Sequence, residues 1–434
     1  MYWEVFVLDR NEYLEIVTAQ IRYKRAIPYL KEELEDHIQD QKDAYVAEGM
    51  NPFEAEMAAV KEMGDPVETG VQLDMVHKPK MEWKVLFGAI LMGLIGLAVQ
   101  FLIAKSSQPS QGVGGSIAIL DRQLLGMAAG IIIMLVLCYL DYSLLIKWAL
   151  PVWGILQIAI MYFVLCGNTV NGRALTAMRL AYFIIPFYAG VVYKYRNEKW
   201  KGLLKSIVCL GISVMSVLMI PDLSAAITIL LSGMLMISVA VYQKWYQVNR
   251  KKVLIGLWGS FLAGGIYLSV TVLYKIIQGD VSYRIMRLKA WYTRESWDFI
   301  LEQMSEVVAN IKSGHFMEYS MFEYVRNNYI WTYLMEYLGT WKGLLILFVF
   351  IIFMGILFMG VFKQKNRLGY ITGLGCVLYL SIQAFIYIGM NFKILPFSGN
   401  YMPFFSNGIT PMVITYFYMG ILLSIFRNSN VVRN

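Results

Sequence analysis

The stretch VLFGAILMGLIGLAVQFLIA, residues 85–104, decides the fold, because it runs for 20 residues without a charged side chain. An α-helix needs about 20 apolar residues to cross the hydrocarbon core of a bilayer. Lipid offers no partners for backbone amides and carbonyls, so the spanning segment must satisfy them internally, as a helix does. The stretch therefore predicts a transmembrane helix.

The composition extends this prediction to most of the chain. Of its 434 residues, 58% are hydrophobic and only 16% are charged. Soluble domains carry about 45–50% apolar and about 25% charged residues. This imbalance excludes a soluble globular enzyme, a disordered chain and a fibrous protein.

Nine further apolar runs of similar length predict an all-α polytopic membrane protein with ten transmembrane helices. The predicted spans are 85–104, 124–142, 145–166, 179–195, 205–220, 223–242, 253–275, 341–362, 369–390 and 408–426. An even number of spans places both chain termini on the same side of the membrane.

The net charge of +8, from 38 Lys and Arg against 30 Asp and Glu, is concentrated in short gaps between the spans. This distribution argues against a nucleic-acid partner and follows the positive-inside rule, with the gaps facing membrane lipid headgroups. It predicts a multi-pass plasma-membrane protein with cytoplasmic termini, including a tail at 427–434. The basic gap residues are Lys194, Arg196, Lys199, Lys201, Lys205, Lys244, Arg250, Lys251, Lys252, Lys363, Lys365 and Arg367.

Cysteine and histidine give no sign of a metal centre. The four cysteines lie inside apolar runs, which is typical of buried thiols rather than disulfides, and the three histidines lack zinc-site spacing. No signal peptide is predicted, because the chain opens with charged residues.

Residues 1–80 are charge-rich and helically patterned, and they predict a small soluble cytoplasmic domain ahead of the spans. Asn11 is the expected cap of its first helix, which must end before Pro28. Asn51 and Asp65, each followed by proline, predict two further helix starts. Residues 276–340 form a large external loop, and a loop of this length indicates function rather than simple connection.

Two polar residues at membrane depth are candidates for a substrate cavity. Asp222 is the only charge between Lys205 and Lys244; it caps the sixth span or lines a cavity. Gln383, in the middle of the ninth span, bridges helices or contacts a substrate.

The segment ILPFSGNYMPFFSNGITP, residues 394–411, combines three prolines with two glycines and polar residues such as Ser406. Irregular backbone at membrane depth is stable only where it is buried in protein or lines a wet cavity. A plain re-entrant connector is the alternative.

These features together resemble the SEDS family (shape, elongation, division and sporulation), which includes FtsW, RodA and SpoVE. The C-terminal motif runs from Gln383 through Leu395-Pro396, Gly399 and Pro403-Phe404 to Ser406 and Gly408. Weaker matches are LMEYLG (334–339), PDLSAA (221–226), LDY (140–142) and Asn171-Gly172. The resemblance covers residues 85–426, and residues 1–80 are similar to a prefix domain of permease-like proteins.

The resemblance implies peptidoglycan synthesis in cell division, cell shape or sporulation. Family members polymerise lipid II, a polyprenyl-linked precursor, beside a class B penicillin-binding protein, and a flippase role has also been proposed for them. An aspartate in the external loop is their essential residue, acting as a base or helping to hold a divalent metal such as Mg²⁺. Arg287 and Gln303 stand at the family's arginine and glutamine positions in this loop.

Two family carboxylates are missing. Asn328 stands at the position of the essential aspartate, and an amide cannot act as a general base. Tyr188 stands where the family has a glutamate in the fourth span. These losses indicate altered or absent polymerase chemistry, so the catalytic residues are unknown.

Three hypotheses follow. The protein is a non-catalytic member that binds a lipid-linked precursor; or it is an active glycosyltransferase that uses another loop carboxylate; or it is a flippase or transporter for such a lipid. The loop carboxylates available to the second hypothesis are Asp298, Glu302, Glu306, Glu318 and Glu323.

Overall fold

The structure is a computed structural model of the chain. It describes residues 8–24, 26–106, 116–170, 173–220, 222–279, 283–293, 295–396 and 399–429. The chain divides into two compact units, of which the larger comprises residues 83–425. The smaller contains the described residues of 1–82 and of 426–434.

The smaller unit is helical. Its helices are α1 Arg10–Ala19, α2 Ile27–Ala47, α3 Pro52–Glu62 and α4 Pro66–His77. Apolar side chains from the first three helices meet in its core, which contains Tyr13, Leu14, Val17, Leu34, Ile38, Ala59 and Val60.

Side-chain caps define the starts of three of the four helices in this unit. Asn51 and Asp65 cap α3 and α4, as the sequence predicts. The prediction for α1 was wrong: Asp9, not Asn11, is its N-cap. Asp9 prevails because Glu12 lies three residues later and completes a capping box, in which each side chain accepts a backbone hydrogen bond of the other residue.

The larger unit contains sixteen helices within its described residues. In chain order they are α5 Trp83–Lys105, α6 Ser116–Tyr139, α7 Tyr142–Lys147, α8 Ala149–Cys166, α9 Leu175–Ala181, α10 Ile184–Lys194, α11 Lys199–Leu218, α12 Leu223–Tyr242, α13 Arg250–Ile277, α14 Tyr283–Tyr292, α15 Glu295–Lys312, α16 Tyr319–Asn328, α17 Ile330–Leu338, α18 Thr340–Phe362, α19 Arg367–Asn391 and α20 Ile409–Arg427. A minimal antiparallel pair of two-residue strands, β1 Thr169–Val170 and β2 Arg173–Ala174, precedes α9.

The predicted all-α membrane fold is confirmed. Among the described residues, nine single helices are long and apolar enough to cross a membrane, and the number is ten when the bent pair α9–α10 is counted as one span. The third predicted span, 145–166, is interrupted, since α7 ends at Lys147. Pro151 explains the break, because it has no N–H to donate to the Lys147 carbonyl.

The fourth span bends by 44° between α9 and α10, a feature that the sequence analysis did not predict. Pro186 lacks the N–H that would bond the Tyr182 carbonyl in a continuous helix. The Tyr418 hydroxyl donates to that carbonyl instead, at 2.7 Å. The bend is therefore stabilised by a side chain from α20.

Helix α19 lies at the centre of the bundle, where it packs against α10, α12, α17 and α18. Because successive spans alternate in direction, the segments 167–174, 278–339 and 392–408 emerge at the same end of the bundle. The candidate site lies at this end.

Candidate functional site

The connection between α19 and α20 is irregular but buried. Every residue from Asn400 to Ser406 is buried, and Phe404 adopts a left-handed conformation with φ 68°. The Ser406 hydroxyl accepts a hydrogen bond from the Met402 amide at 2.7 Å, which closes a tight turn. Burial in protein is one of the two arrangements that the sequence analysis allowed for this irregular backbone, and residues 400–406 adopt it.

Glutamines from the first two spans hold this connection in place. The Gln100 side-chain amide donates to the Phe405 carbonyl at 2.7 Å. The Gln123 side-chain oxygen accepts from the Gly408 amide at 3.0 Å. Both glutamines are buried, so these bonds satisfy backbone groups that lipid could not.

A second irregular element is the break between α16 and α17. The carbonyl oxygens of residues 326–328 each accept a hydrogen bond from a buried side chain. The three donors, in chain order of their acceptors, are Gln100 (3.1 Å), Tyr387 (3.0 Å) and Asn391 (3.0 Å). We call these three side chains the carbonyl clamp. Gln100 belongs to both elements, so it links the end of α16 directly to the α19–α20 connection.

The two elements, together with α9 and the start of α20, line an open cavity of about 250 Å³. Its described lining residues are Leu175, Met178, Arg179, Tyr182, Asn327, Asn328, Gly399, Asn400, Tyr401, Ser406, Asn407, Thr410 and Pro411. Four of them are asparagines and one is an arginine, whereas no carboxylate is among them. The cavity is therefore rich in neutral and cationic hydrogen-bond donors.

Arg326 connects the cavity wall to α16. Its guanidinium forms an ion pair with Glu323 and donates to the Asn407 side-chain oxygen at 3.4 Å. With its oxygen occupied, the Asn407 amide has its NH₂ group available, and this group has no acceptor among the described residues. Burial also raises the pKa of Tyr401, so its phenol remains neutral.

The family comparison decides the identity of this bundle. The family model described as Cell cycle protein (FTSW_RODA_SPOVE) matches residues 82–431. The chain belongs to this family. It is the SEDS family that the sequence motifs resemble, and its members act in cell-wall synthesis.

Individual relatives are distant but nearly complete in coverage. The chain is 22% identical over 367 residues to a protein named probable peptidoglycan glycosyltransferase FtsW from Geobacter sp. (strain M18). That match covers 79% of this chain and 95% of the relative. A relative of the same name from Thioalkalivibrio sulfidiphilus is 23% identical, with 78% of this chain and 88% of the relative covered.

Solved structures show the same fold. One match has a TM-score of 0.60 at 16% identity. It is a chain from the structure described as "Structural coordination of polymerization and crosslinking by a peptidoglycan synthase complex". The match covers 80% of this chain and 98% of the other. The crystal structure of the Thermus thermophilus rod shape determining protein RodA matches with a TM-score of 0.52 at 15% identity, covering 80% and 97%.

Of the site residues named from the SEDS resemblance, the structure brings two together. Asn328 and Ser406 both line the cavity, although they are 78 residues apart in the chain. Tyr188, at the second missing carboxylate position, lies elsewhere: it is fully buried, and its hydroxyl donates to the Ser206 carbonyl at 3.0 Å.

Asp222 and Gln383 do not line this cavity. Asp222 is the N-cap of α12, where its carboxylate accepts from the Ala225 amide at 3.1 Å, as the capping alternative predicts. Gln383 is completely buried between helices, and its side-chain amide has no hydrogen-bond partner among the described residues. Its position one turn from Tyr379 and Tyr387 on α19 directs it into the bundle.

Neither of the two candidates of the large loop is among the described lining residues of the cavity. Gln303 is exposed on α15, because it lies on the polar face of this amphipathic helix. Arg287 belongs to α14, but its side chain lies outside the described part of the structure.

The sequence analysis missed most of the residues that build the site. Arg179, Asn327 and Asn400 line the cavity without having been named, whereas Asn407 was noted only as one of the polar residues in the segment 394–411. For the carbonyl clamp a signal existed: Gln383, Tyr387 and Asn391 repeat every four residues along α19 and so share one face of the helix. Gln100 is likewise the single strongly polar residue of the stretch 85–104.

The donor set does not fit the divalent metal that the family resemblance implies. Protein Mg²⁺ sites use one or two carboxylates together with water or phosphate oxygens. The described cavity lining has no carboxylate, and the neighbouring carboxylate of Glu323 is paired with Arg326. No group of three or more Asp, Glu, His or Cys side chains suited to a metal occurs in the described residues.

Proposed function

We propose that this protein binds a polyprenyl-linked cell-wall precursor, such as lipid II, and does not itself polymerise it. The observation that carries the proposal is a donor-rich cavity with Asn328 at the family's aspartate position and no carboxylate in its described lining. A diphosphate-linked sugar presents anionic oxygens and carbonyls, which are acceptors for guanidinium and amide donors.

Each side of the cavity has a part in this binding. Arg179 on α9 supplies a charge-assisted bond to the diphosphate, while the amides of Asn400 and Asn407 bond neutral or anionic oxygens of the headgroup. The volume of about 250 Å³ suits part of a headgroup, so the polyprenyl chain remains in the surrounding lipid. Without a base at Asn328, no group in the described lining can deprotonate a sugar hydroxyl.

A binding measurement tests the first half of the proposal. Purified full-length protein in nanodiscs is expected to bind lipid II. Arg179→Gln should weaken this binding about 10–100-fold, because a hydrogen bond to a charged group contributes about 1.5–3 kcal/mol. Arg122→Gln is the matched control, because Arg122 is exposed and does not line the cavity. Absence of lipid II binding by the wild-type protein would refute the proposal.

A polymerisation assay tests the second half. Wild-type protein should yield no glycan from lipid II, with or without a class B penicillin-binding protein, and Asn328→Asp should gain activity. Asn327→Asp is the control, because Asn327 also lines the cavity but is not at the family's aspartate position. Activity of the wild-type protein would contradict the non-catalytic role.

Glu323 supports one alternative, an active glycosyltransferase that uses a different carboxylate. Among the five loop carboxylates, Glu323 is bonded to Asn327 at 3.4 Å and, through Arg326, linked to Asn407, so it is connected to the cavity wall. Glu302, Glu306 and Glu318 are exposed, and the side chain of Asp298 lies outside the described part of the structure. Wild-type glycan synthesis that Glu323→Gln abolishes would favour this alternative, and precursor movement across vesicles without polymerisation would favour a flippase.

We also propose a class B penicillin-binding protein as partner and a plasma membrane orientation with both termini cytoplasmic. The match to a peptidoglycan synthase complex supports the partner. The basic turns at the end of the bundle opposite the cavity support the orientation. Thiol labelling of an introduced cysteine near each terminus, with a membrane-impermeant reagent on whole cells, tests the orientation.

A further inference from the structure

Two turns at the end of the bundle opposite the cavity form one basic surface. The turn between α10 and α11 and the turn between α12 and α13, together with the helix ends beside them, contribute nine basic residues and a single carboxylate, Glu198. We call this surface the basic face; its cations are Lys194, Arg196, Lys199, Lys201, Lys205, Lys244, Arg250, Lys251 and Lys252.

Aromatic contacts join the two turns. The rings of Tyr193 and Trp245 meet edge to face, with centroids 6.0 Å apart. The Tyr246 hydroxyl lies 2.9 Å from the Ser206 hydroxyl and donates to the Val192 carbonyl at 3.4 Å. Tyr246 and Trp245 are buried, so the two turns pack against each other through these side chains.

The charges of the basic face are almost entirely uncompensated. Within the described residues, Lys205 alone among the nine has an ion-pair partner, Glu198 at 2.6 Å. The Arg196 and Arg250 guanidinium groups lie over the rings of Tyr193 and Tyr242, at 3.8 and 5.3 Å. These contacts orient the cations but do not neutralise them.

The backbone of the two turns is also strained. Lys199, Lys244 and Gln247 have φ values of 51°, 63° and 51°. These values lie in the left-handed region, which residues other than glycine rarely adopt. Strained backbone persists where the surrounding structure requires a particular arrangement, and it is frequent at binding sites. Two of these three residues, Lys199 and Lys244, belong to the basic face.

The position of the basic face determines which ligand it meets. It lies where the spans end, and two exposed aromatic residues flank it, Trp200 and Tyr242 at 60% and 68% exposure. Exposed tryptophan and tyrosine at span ends are typical of the headgroup layer of a bilayer. Clusters of lysine and arginine at this level bind anionic lipid headgroups.

We infer that the basic face is a binding site for the phosphodiester headgroup of an anionic phospholipid. The two turns hold the headgroup between their lysines, while the acyl chains lie along the spans. The site is on the end opposite the cavity, so the inference is independent of the proposed function.

Spin-labelled lipid in reconstituted vesicles tests this inference. Full-length protein in phosphatidylcholine vesicles receives a trace of spin-labelled phosphatidylglycerol or phosphatidylcholine, and electron paramagnetic resonance gives the fraction of each that is motionally restricted. Wild-type protein should prefer phosphatidylglycerol. The double variant Lys194→Gln with Lys244→Gln should reduce this preference by up to about 25-fold, since each lysine near the surface contributes about fivefold.

A matched pair of lysines provides the control. Lys363→Gln with Lys365→Gln removes the same charge from exposed positions in the α18–α19 turn, which lies outside the basic face, and should reduce the preference by less than the first pair does. Replacing Lys194 and Lys244 by arginine should preserve the preference. Equal loss from both glutamine pairs, no loss from the first pair, or loss from the arginine pair would each overturn the inference.

Discussion

We predict that the carbonyl clamp depends on a single hydroxyl group, that of Tyr387. Tyr387 is fully buried; its hydroxyl donates to the Asn327 carbonyl at 3.0 Å and accepts from the Ile330 amide at 3.4 Å. Tyr387→Phe removes only this oxygen, so both backbone groups at the α16–α17 break lose their partner. Gln100 and Asn391 remain to hold the neighbouring carbonyls.

The free-energy cost of Tyr387→Phe follows from the burial of Ile330, which has no exposed surface. A buried amide left without a partner costs about 1–3 kcal/mol, and a lost hydrogen bond to a part-buried carbonyl costs about 1 kcal/mol. Some relaxation of the break is expected, so local opening should become easier by about 2 kcal/mol. This corresponds to about 30-fold faster exchange of the amides that open with it.

Hydrogen–deuterium exchange with mass spectrometry on peptides covering 326–333 measures this effect in the purified full-length protein. Tyr418→Phe is the matched control, because it also removes a buried hydroxyl, whose hydrogen bond of 2.7 Å goes to Tyr182 and not to the break. Tyr387→Phe should accelerate exchange in these peptides, and Tyr418→Phe should not. Equal acceleration by both variants, or none by Tyr387→Phe, would refute the clamp.

Two further predictions concern stability and use thermal unfolding of the purified protein. A Cβ added at Gly96 would lie 2.0 Å from the Phe404 carbonyl oxygen, so Gly96→Ala should lose at least about 1–3 kcal/mol, whereas Gly211→Ala, with no atom within 4 Å, should not be destabilising. At Asp222, removal of the helix cap by Asp222→Ala should cost about 1 kcal/mol, whereas Asp222→Asn keeps the acceptor for the Ala225 amide and should retain wild-type stability. Equal stability of the two Gly→Ala variants, or of the two Asp222 variants, would contradict the corresponding interpretation.

The membrane fold was predictable because each apolar segment must satisfy its own backbone hydrogen bonds in lipid, independently of the others. Stretches such as 85–104 must be helical in lipid whatever surrounds them, and ten spans follow from counting them. The caps Asn51 and Asp65 were predictable for the same reason, since a cap bonds backbone amides two or three residues away. Asn11 failed because Asp9 offered a better local pairing, with Glu12.

The site was only partly predictable. Ser406 was found through the C-terminal motif, and Asn328 by counting back from Gly339 of the LMEYLG match; both line the cavity. Arg179 and Asn400 follow no spacing rule, because what makes them neighbours is the bend before Pro186 and the fold of the α19–α20 connection. Asp222 was ambiguous in sequence, since a helix cap and a cavity carboxylate have the same local surroundings.

The sequence by itself determined which segments are helical and which of them are long and apolar enough to cross the membrane. These properties depend on the length, hydropathy and identity of residues within one segment. The tertiary structure alone decided that Gln100, Tyr387 and Asn391 hold three consecutive carbonyls, and that asparagines from α16 and the α19–α20 connection face one cavity. Such contacts join residues up to 305 positions apart, and only the packing of the helices brings them within hydrogen-bond distance.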